Sequence, residues 1–339
     1  MKMKDFKITR YGKKNYFALT TGLLILLMIG YFVFLIVSRE KAGVTKPLSN
    51  IWFNPPTFLF SIDGTGAGAL QEPVAVTASP DGRIFVADPA AADIKVYDAE
   101  GTFKYTFKKL GNTGQLQAPV GVAINGQTVL VSDSALNQIF IFSLDGQYKG
   151  NLISNENKAK LTAFTPVGVK VVSNNIYFTD ILFHRVVKTD LNGNLINTLG
   201  GPGEQEGRLA FPNDVAVSPS EKIYVSDSNN FRVQVSEDGK SFHLFKDKNS
   251  PDKGPIEGAL VRGITVDKNG FIWVVDTLNH CVSVFNEDAE PVYVFGGSSS
   301  GAAGLTGTDT LFYPNGINVD RNRVYIADRG NHVVRVYRR

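Results

Sequence analysis

Six aspartates set the frame of this chain. Asp88, Asp133, Asp180, Asp227, Asp276 and Asp328 recur at intervals of 45, 47, 47, 49 and 52 residues. Each closes a short apolar run such as Ile84-Phe85-Val86-Ala87 or Ile223-Tyr224-Val225-Ser226. Self-similarity at such a period means one supersecondary unit copied along the chain. Each Asp also falls 14 or 15 residues after an opening residue, which is Pro73, Pro119, Pro166, Pro212, Val261 or Pro314.

Within a unit the turns are explicit, because Asn-Gly and Asp-Gly supply the positive φ that tight hairpins need. Asp81-Gly82, Asn125-Gly126 and Asn269-Gly270 join the first run to the second, and Asp145-Gly146, Asn192-Gly193 and Asp238-Gly239 join the third to a fourth. The runs are apolar at nearly every position, as expected of strands whose sheet is covered on both faces. Six four-stranded meanders arranged radially predict an all-β, six-bladed β-propeller over residues 51–339. The sixth unit stops after its third strand, whereas Thr57-Phe58-Leu59-Phe60-Ser61-Ile62 precedes the first. That early run is therefore expected to complete the sixth blade and leave no open edge.

Ahead of the repeats lies a different kind of sequence. Residues 1–15 carry six Lys or Arg against Asp5, and Tyr16 to Ser38 is a 23-residue stretch without a charge. At ~1.5 Å per residue it is long enough for a helix to cross a ~30 Å hydrocarbon layer. A cleaved signal would have a shorter apolar core ending in small residues, which Phe34-Leu35-Ile36-Val37-Ser38-Arg39 lacks. The reading is an uncleaved transmembrane signal anchor at 16–38, a basic cytoplasmic tail at 1–15 and a polar tether at 39–50. The basic flank places the N-terminus in the cytoplasm and the propeller outside the inner membrane. No Asn-x-Ser/Thr sequon occurs, which favours a bacterial envelope over a eukaryotic secretory route.

Residues 1–41 hold eight Lys/Arg and two acids of the chain's 35 and 32, leaving 27 basic and 30 acidic residues beyond them. A mildly acidic body gives no electrostatic case for nucleic acid. Cys281 is the only cysteine, so no internal disulfide can form.

The units resemble NHL repeats, whose pattern is Pro-x-Gly-Val-Ala-Val, an apolar strand ending in Ala-Asp, and Asn-His-Arg opening the next strand. Asn331-His332 and Asn279-His280 keep the Asn-His pair, Phe183-His184-Arg185 keeps His-Arg, and Asn230-Phe231-Arg232 keeps Asn and Arg. Blades one and two depart, with Ala92-Asp93-Ile94 and Leu136-Asn137-Gln138. The resemblance covers about residues 57–337 and implies the propeller fold. For function it implies less, because one fold hosts many activities. Peptide-amidating lyases and sugar lactonases resemble this fold and use central metal sites, and some receptor kinases carry outward-facing NHL propellers.

No nucleophile elbow, P-loop, His-Glu-x-x-His or cysteine cluster is present. His184, His280 and His332 stand four residues after a repeat Asp and are expected to be structural, as are the six aspartates. The residue after each opening position differs between blades: Val74, Val120 and Val167 are apolar, whereas Asn213, Arg262 and Asn315 are polar, with Asp214 adjacent. These polar residues are the candidate ligand site. Arg262 suits a carboxylate or phosphate, and Asn213, Asp214 and Asn315 are alternative ligands for a hard divalent cation. No cofactor and no catalytic set is otherwise indicated. The expected role is a scaffold binding a protein or glycan of the cell envelope; a metal-dependent lyase or lactonase and a sensor acting through a partner are the alternatives.

Overall fold

The computed structural model describes residues 53–154, 161, 163–247, 256, 259–297, 310–320 and 322–339. The tail, the 16–38 span and the 39–50 tether lie outside them. Among the described residues no helix is long and apolar enough to cross a membrane.

Six four-stranded antiparallel sheets form the blades. Their innermost strands are Ala75–Ala78, Pro119–Asn125, Pro166–Val172, Pro212–Val217, Val261–Val266 and Pro314–Val319. Each innermost strand packs against those of both neighbouring blades, and the sixth meets the first, so the ring closes around a central channel. In the sixth blade the order is Thr57–Ile62, Val333–Arg338, Arg323–Asp328, Pro314–Val319. The early run thus pairs with the last strand, Phe58 opposite Tyr337 and Ile62 opposite Val334, as its sequence position leads one to expect.

The core lies between blades. Phe85, Ile94 and Val96 of the first blade pack with Val122, Val131 and Phe142 of the second, and Ala216, Tyr224 and Val235 of the fourth with Ile264, Ile272 and Val274 of the fifth. A strand covered from both sides has no polar face, which accounts for its unbroken apolar sequence. Two features depart from the simple meander. The fourth blade's outer strand shrinks to His243–Leu244, and an extra two-residue ladder, Lys109–Leu110 with Gly114–Gln115, bridges the first and second blades.

One turn is common to all blades. The fourth residue after each repeat Asp, namely Ala92, Asn137, His184, Phe231, His280 and His332, has φ between 50° and 57°. Left-handed backbone favours Asn and His among non-glycine residues, and four of these six positions hold one or the other.

Candidate functional site

The opening ends of the innermost strands, the turns after the repeat aspartates and the described parts of the links between blades lie on one face of the ring. On this face the channel opens into a cavity of about 270 Å³, whose lining includes Val74, Val120, Val167, Asn213, Asp214, Arg262 and Asn315. All six residues that follow an opening position therefore meet there, apolar on one side and polar on the other. A second recess of about 390 Å³ shares Arg262 and Asn315 with it and is walled by Leu278, Tyr313, Arg329 and Glu72.

Backbone positions at this mouth are fixed by close approach and by hydroxyls. A Cβ on Gly263 would lie 2.5 Å from Asn315 O, and one on Gly316 2.5 Å from Val74 O, so only glycine lets these strands approach their neighbours. The residue before each repeat Asp adds a clamp in three blades: Ser132 Oγ donates to Val167 O at 2.5 Å, Thr179 Oγ1 to Asn213 O at 3.1 Å and Ser226 Oγ to Arg262 O at 2.7 Å.

Asp214 occupies the place where four other blades have glycine. Its carboxylate is buried, with Oδ1 accepting from Val215 N at 2.9 Å and Oδ2 from Ile264 N at 3.2 Å, while Lys170 Nζ lies 3.5 Å from Oδ2. Burial raises its pKa above the usual carboxylate value, against the opposing pull of Lys170. Asp214 thus links the third, fourth and fifth blades. Each of its oxygens already accepts a backbone N–H, and Lys170 stands beside Oδ2.

Arg262 is different. Its guanidinium donates from Nη1 to the neutral Asn213 Oδ1 at 3.0 Å, and among the described residues no carboxylate lies within ion-pairing distance. Burial, and after it the charge of Arg329, lower its pKa, yet an arginine starting so high stays cationic. Arg329 is balanced by Glu72 at 2.7 Å. Among the described residues the mouth accordingly carries one uncompensated positive charge.

Lys170 was not singled out by the sequence reading. A signal existed: it is the only charged residue among Thr77, Ala123, Lys170, Ala216, Thr265 and Asn318, which share its place in the six innermost strands. Also unforeseen is an apolar rim on the same face. Leu182, Phe183, Phe211, Phe231, Leu278, Phe312 and Tyr313 are large apolar residues, each more than 40% exposed. Several are braced: His184 meets the Phe211 ring edge-on at 4.5 Å, His280 stacks on Phe312 at 5.1 Å, and the Arg185 guanidinium lies 4.8 Å over Phe183. Phe211 and Tyr313 both have φ of 48°, an unusual conformation for a bulky residue and one disfavoured before proline.

Residues 209–235 and 260–285 match the family model described as the NHL repeat. Two blades of the chain are thus similar to NHL repeats. Among curated proteins it is 28% identical over 145 residues to NHL repeat-containing protein 2 of Gallus gallus, covering 42% of this chain and 18% of that protein. It is 26% identical over 168 residues to human NHL repeat-containing protein 3, covering 44% of this chain and 46% of that one. It thus spans less than half the length of these relatives. Solved structures sharing the fold include virginiamycin B lyase from Staphylococcus aureus, at TM-score 0.54 and 15% identity over 79% of this chain and 95% of the lyase. A gluconolactonase from Xanthomonas campestris gives TM-score 0.58 and 16% identity over 85% and 96%.

The repeat positions make hydrogen bonds that tie each blade to its own turns and to the links beside it. Asp227, fully buried, accepts from Ala210 N at 2.6 Å, Asn230 Nδ2 at 2.8 Å, Arg232 Nε at 2.7 Å and Gln234 Nε2 at 2.9 Å. Asp88, Asp133, Asp180 and Asp328 likewise accept from backbone N–H groups of the preceding link, whereas the carboxylate of Asp276 accepts from Asn279 N at 3.1 Å and from its side-chain amide. His184 Nδ1 accepts from Phe211 N at 3.0 Å and His280 Nδ1 from Tyr313 N at 2.9 Å, while His332 Nδ1 meets Gln71 O. These histidines therefore hold the links into the next blade. Among the described residues no group of three or more His, Cys, Asp or Glu side chains is placed to hold a metal. Burial pushes the Cys281 thiol up to about 11, which leaves it protonated at neutral pH.

Proposed function

We propose that this chain is a membrane-anchored scaffold whose propeller lies outside the cytoplasmic membrane and binds a protein partner through the channel-mouth face. The observation that carries this reading is the coincidence, on one face, of exposed aromatic residues with a cavity holding one unbalanced cation. Large exposed apolar patches rimmed by polar groups mark interaction surfaces. The uncharged run at 16–38 and the six basic residues before it support the anchor and its orientation.

A second reading is an enzyme, favoured by the fold shared with the lyase and the gluconolactonase. Acid–base or metal chemistry needs convergent groups. The histidine-to-alanine variant of the virginiamycin lyase is catalytically inactive, whereas among the described residues no histidine lines the channel cavity here. The one carboxylate among its described lining residues, Asp214, already accepts two backbone N–H groups and faces Lys170.

Protease added to intact spheroplasts is expected to degrade the propeller while the chain stays in the membrane fraction. Protection of residues 57–339, or a mature N-terminus after Ser38, would overturn the topology. Metal content of the purified full chain is expected to be well below one equivalent. A stoichiometric transition metal or Ca²⁺ would favour the enzyme instead.

A further inference from the structure

Among the described residues, the charges lining the mouth balance in pairs, with one left over. Lys170 faces Asp214 at 3.5 Å and Arg329 faces Glu72 at 2.7 Å, which leaves Arg262 with only the neutral Asn213. A single excess positive charge matches a monoanion better than a dianionic phosphate. Planar guanidinium also pairs with the two oxygens of a carboxylate bidentately. Arg262 and Asn315 line both the inner cavity and the outer recess, so an anion held there would have space on either side.

What carries the carboxylate follows from the surroundings. Val74, Val120, Val167 and Phe211 wall the inner side, and Leu278 and Tyr313 the outer side. Beyond them the exposed apolar residues continue through the turns and links of the third to sixth blades, a breadth suited to a protein surface rather than to one sugar or small acid. Phe211 and Tyr313 are tied at their backbone N–H groups to His184 and His280, so less backbone freedom remains to be lost there on contact. Rigid aromatic anchors around a desolvated charge are the composition of an interface centre.

We propose, building on the protein-binding reading above, that the mouth takes the side-chain carboxylate of an Asp or Glu standing within an apolar segment of a protein partner. Arg262 is its counter-ion, Asn315 a neutral neighbour, and Phe211, Leu278 and Tyr313 are the surfaces that cover the flanking residues.

The test uses the full chain in detergent micelles and a phage-displayed library of random twelve-residue peptides, with oligogalacturonate as an anionic glycan probe. Enriched peptides are expected to carry one Asp or Glu flanked by Leu, Phe, Tyr or Trp. For a synthetic copy of such a peptide, Arg262→Ala or amidation of the acid (Asp→Asn, Glu→Gln) should each weaken binding about tenfold or more. The two changes together should cost little beyond either alone, because they remove one interaction. Phe211→Ser should weaken binding without lowering the melting temperature. Arg262→Gln serves as a second variant should Arg262→Ala melt early.

Peptides that bind equally well without Arg262 or without their acid would overturn the carboxylate site while leaving a binding propeller in place. Binding of oligogalacturonate with no peptide enriched would overturn the protein partner but keep an anion site. Enrichment of neither would overturn the proposal and the binding reading together.

Discussion

A chain beginning at Gln71 is expected to aggregate, or to melt far below one beginning at Asn50. The residues removed include Thr57–Ile62, the outer strand of the sixth blade, whose five residue pairs with Val334 to Arg338 join the two ends of the chain. Ile62 is 1% exposed and packs with Val76, Tyr97, Val334 and Val336, and Leu59 and Phe60 pack against the same cluster. Phe58 meets the Tyr337 ring at 5.7 Å, and Ser61 Oγ accepts from Arg335 Nη1 at 2.8 Å. At about 1.5–3 kcal/mol for each large apolar side chain buried, three of them contribute roughly 5 kcal/mol, a large part of the ~5–15 kcal/mol that stabilises an ordinary domain. The truncation would also bare the edge of Val333–Arg338, leaving its backbone groups unpaired, and such edges recruit other chains. Thermal melting with light scattering checks this; equal melting temperatures would show that the ring does not depend on this strand.

Asp227→Ala is expected to be the most damaging single change at a repeat aspartate. Four donors converge on a carboxylate with no exposure, one of them the Arg232 guanidinium. Removing the acceptor leaves a charge and three N–H groups facing an apolar methyl, and breaking a buried pair from one side costs about 3–5 kcal/mol. For a domain of this size that is a fall in Tm on the order of 10 °C. Asp227→Asn keeps one acceptor oxygen and should lose less. Asp238→Ala, in an exposed hairpin turn, should change the melt very little. If Asp227→Ala melted like Asp238→Ala, the repeat aspartate would be a surface ornament rather than a tie between link and blade.

The ring was legible because its determinants are local and repeated. The aspartate at the end of a second strand recurs in all six units, and the Asn-Gly and Asp-Gly turns and the early strand that completes the sixth blade each have one physical meaning. Arg262, Asn213 and Asn315 were legible for a related reason: they stand in one register, where a difference between blades is visible against symmetry. The rim was not legible. Phe211, Leu278 and Tyr313 sit in turns and links outside the strand register, where an exposed aromatic residue looks like a core one. The Lys170–Asp214 pair was half visible, since the carboxylate stood beside a noted position, but the lysine belongs to the neighbouring blade and only the closed ring brings the two together.

On the proposed function, this propeller works through its channel-mouth face. A photo-crosslinking residue placed in the full chain at Phe211 or Phe312 on that face, and at Gln147 or Lys240 in turns of the opposite face, tests it in intact cells. Adducts are expected from positions 211 and 312, and their yield should fall when Arg262→Ala is added. Adducts formed only from positions 147 and 240, or adducts at 211 and 312 that are indifferent to Arg262→Ala, would contradict the account.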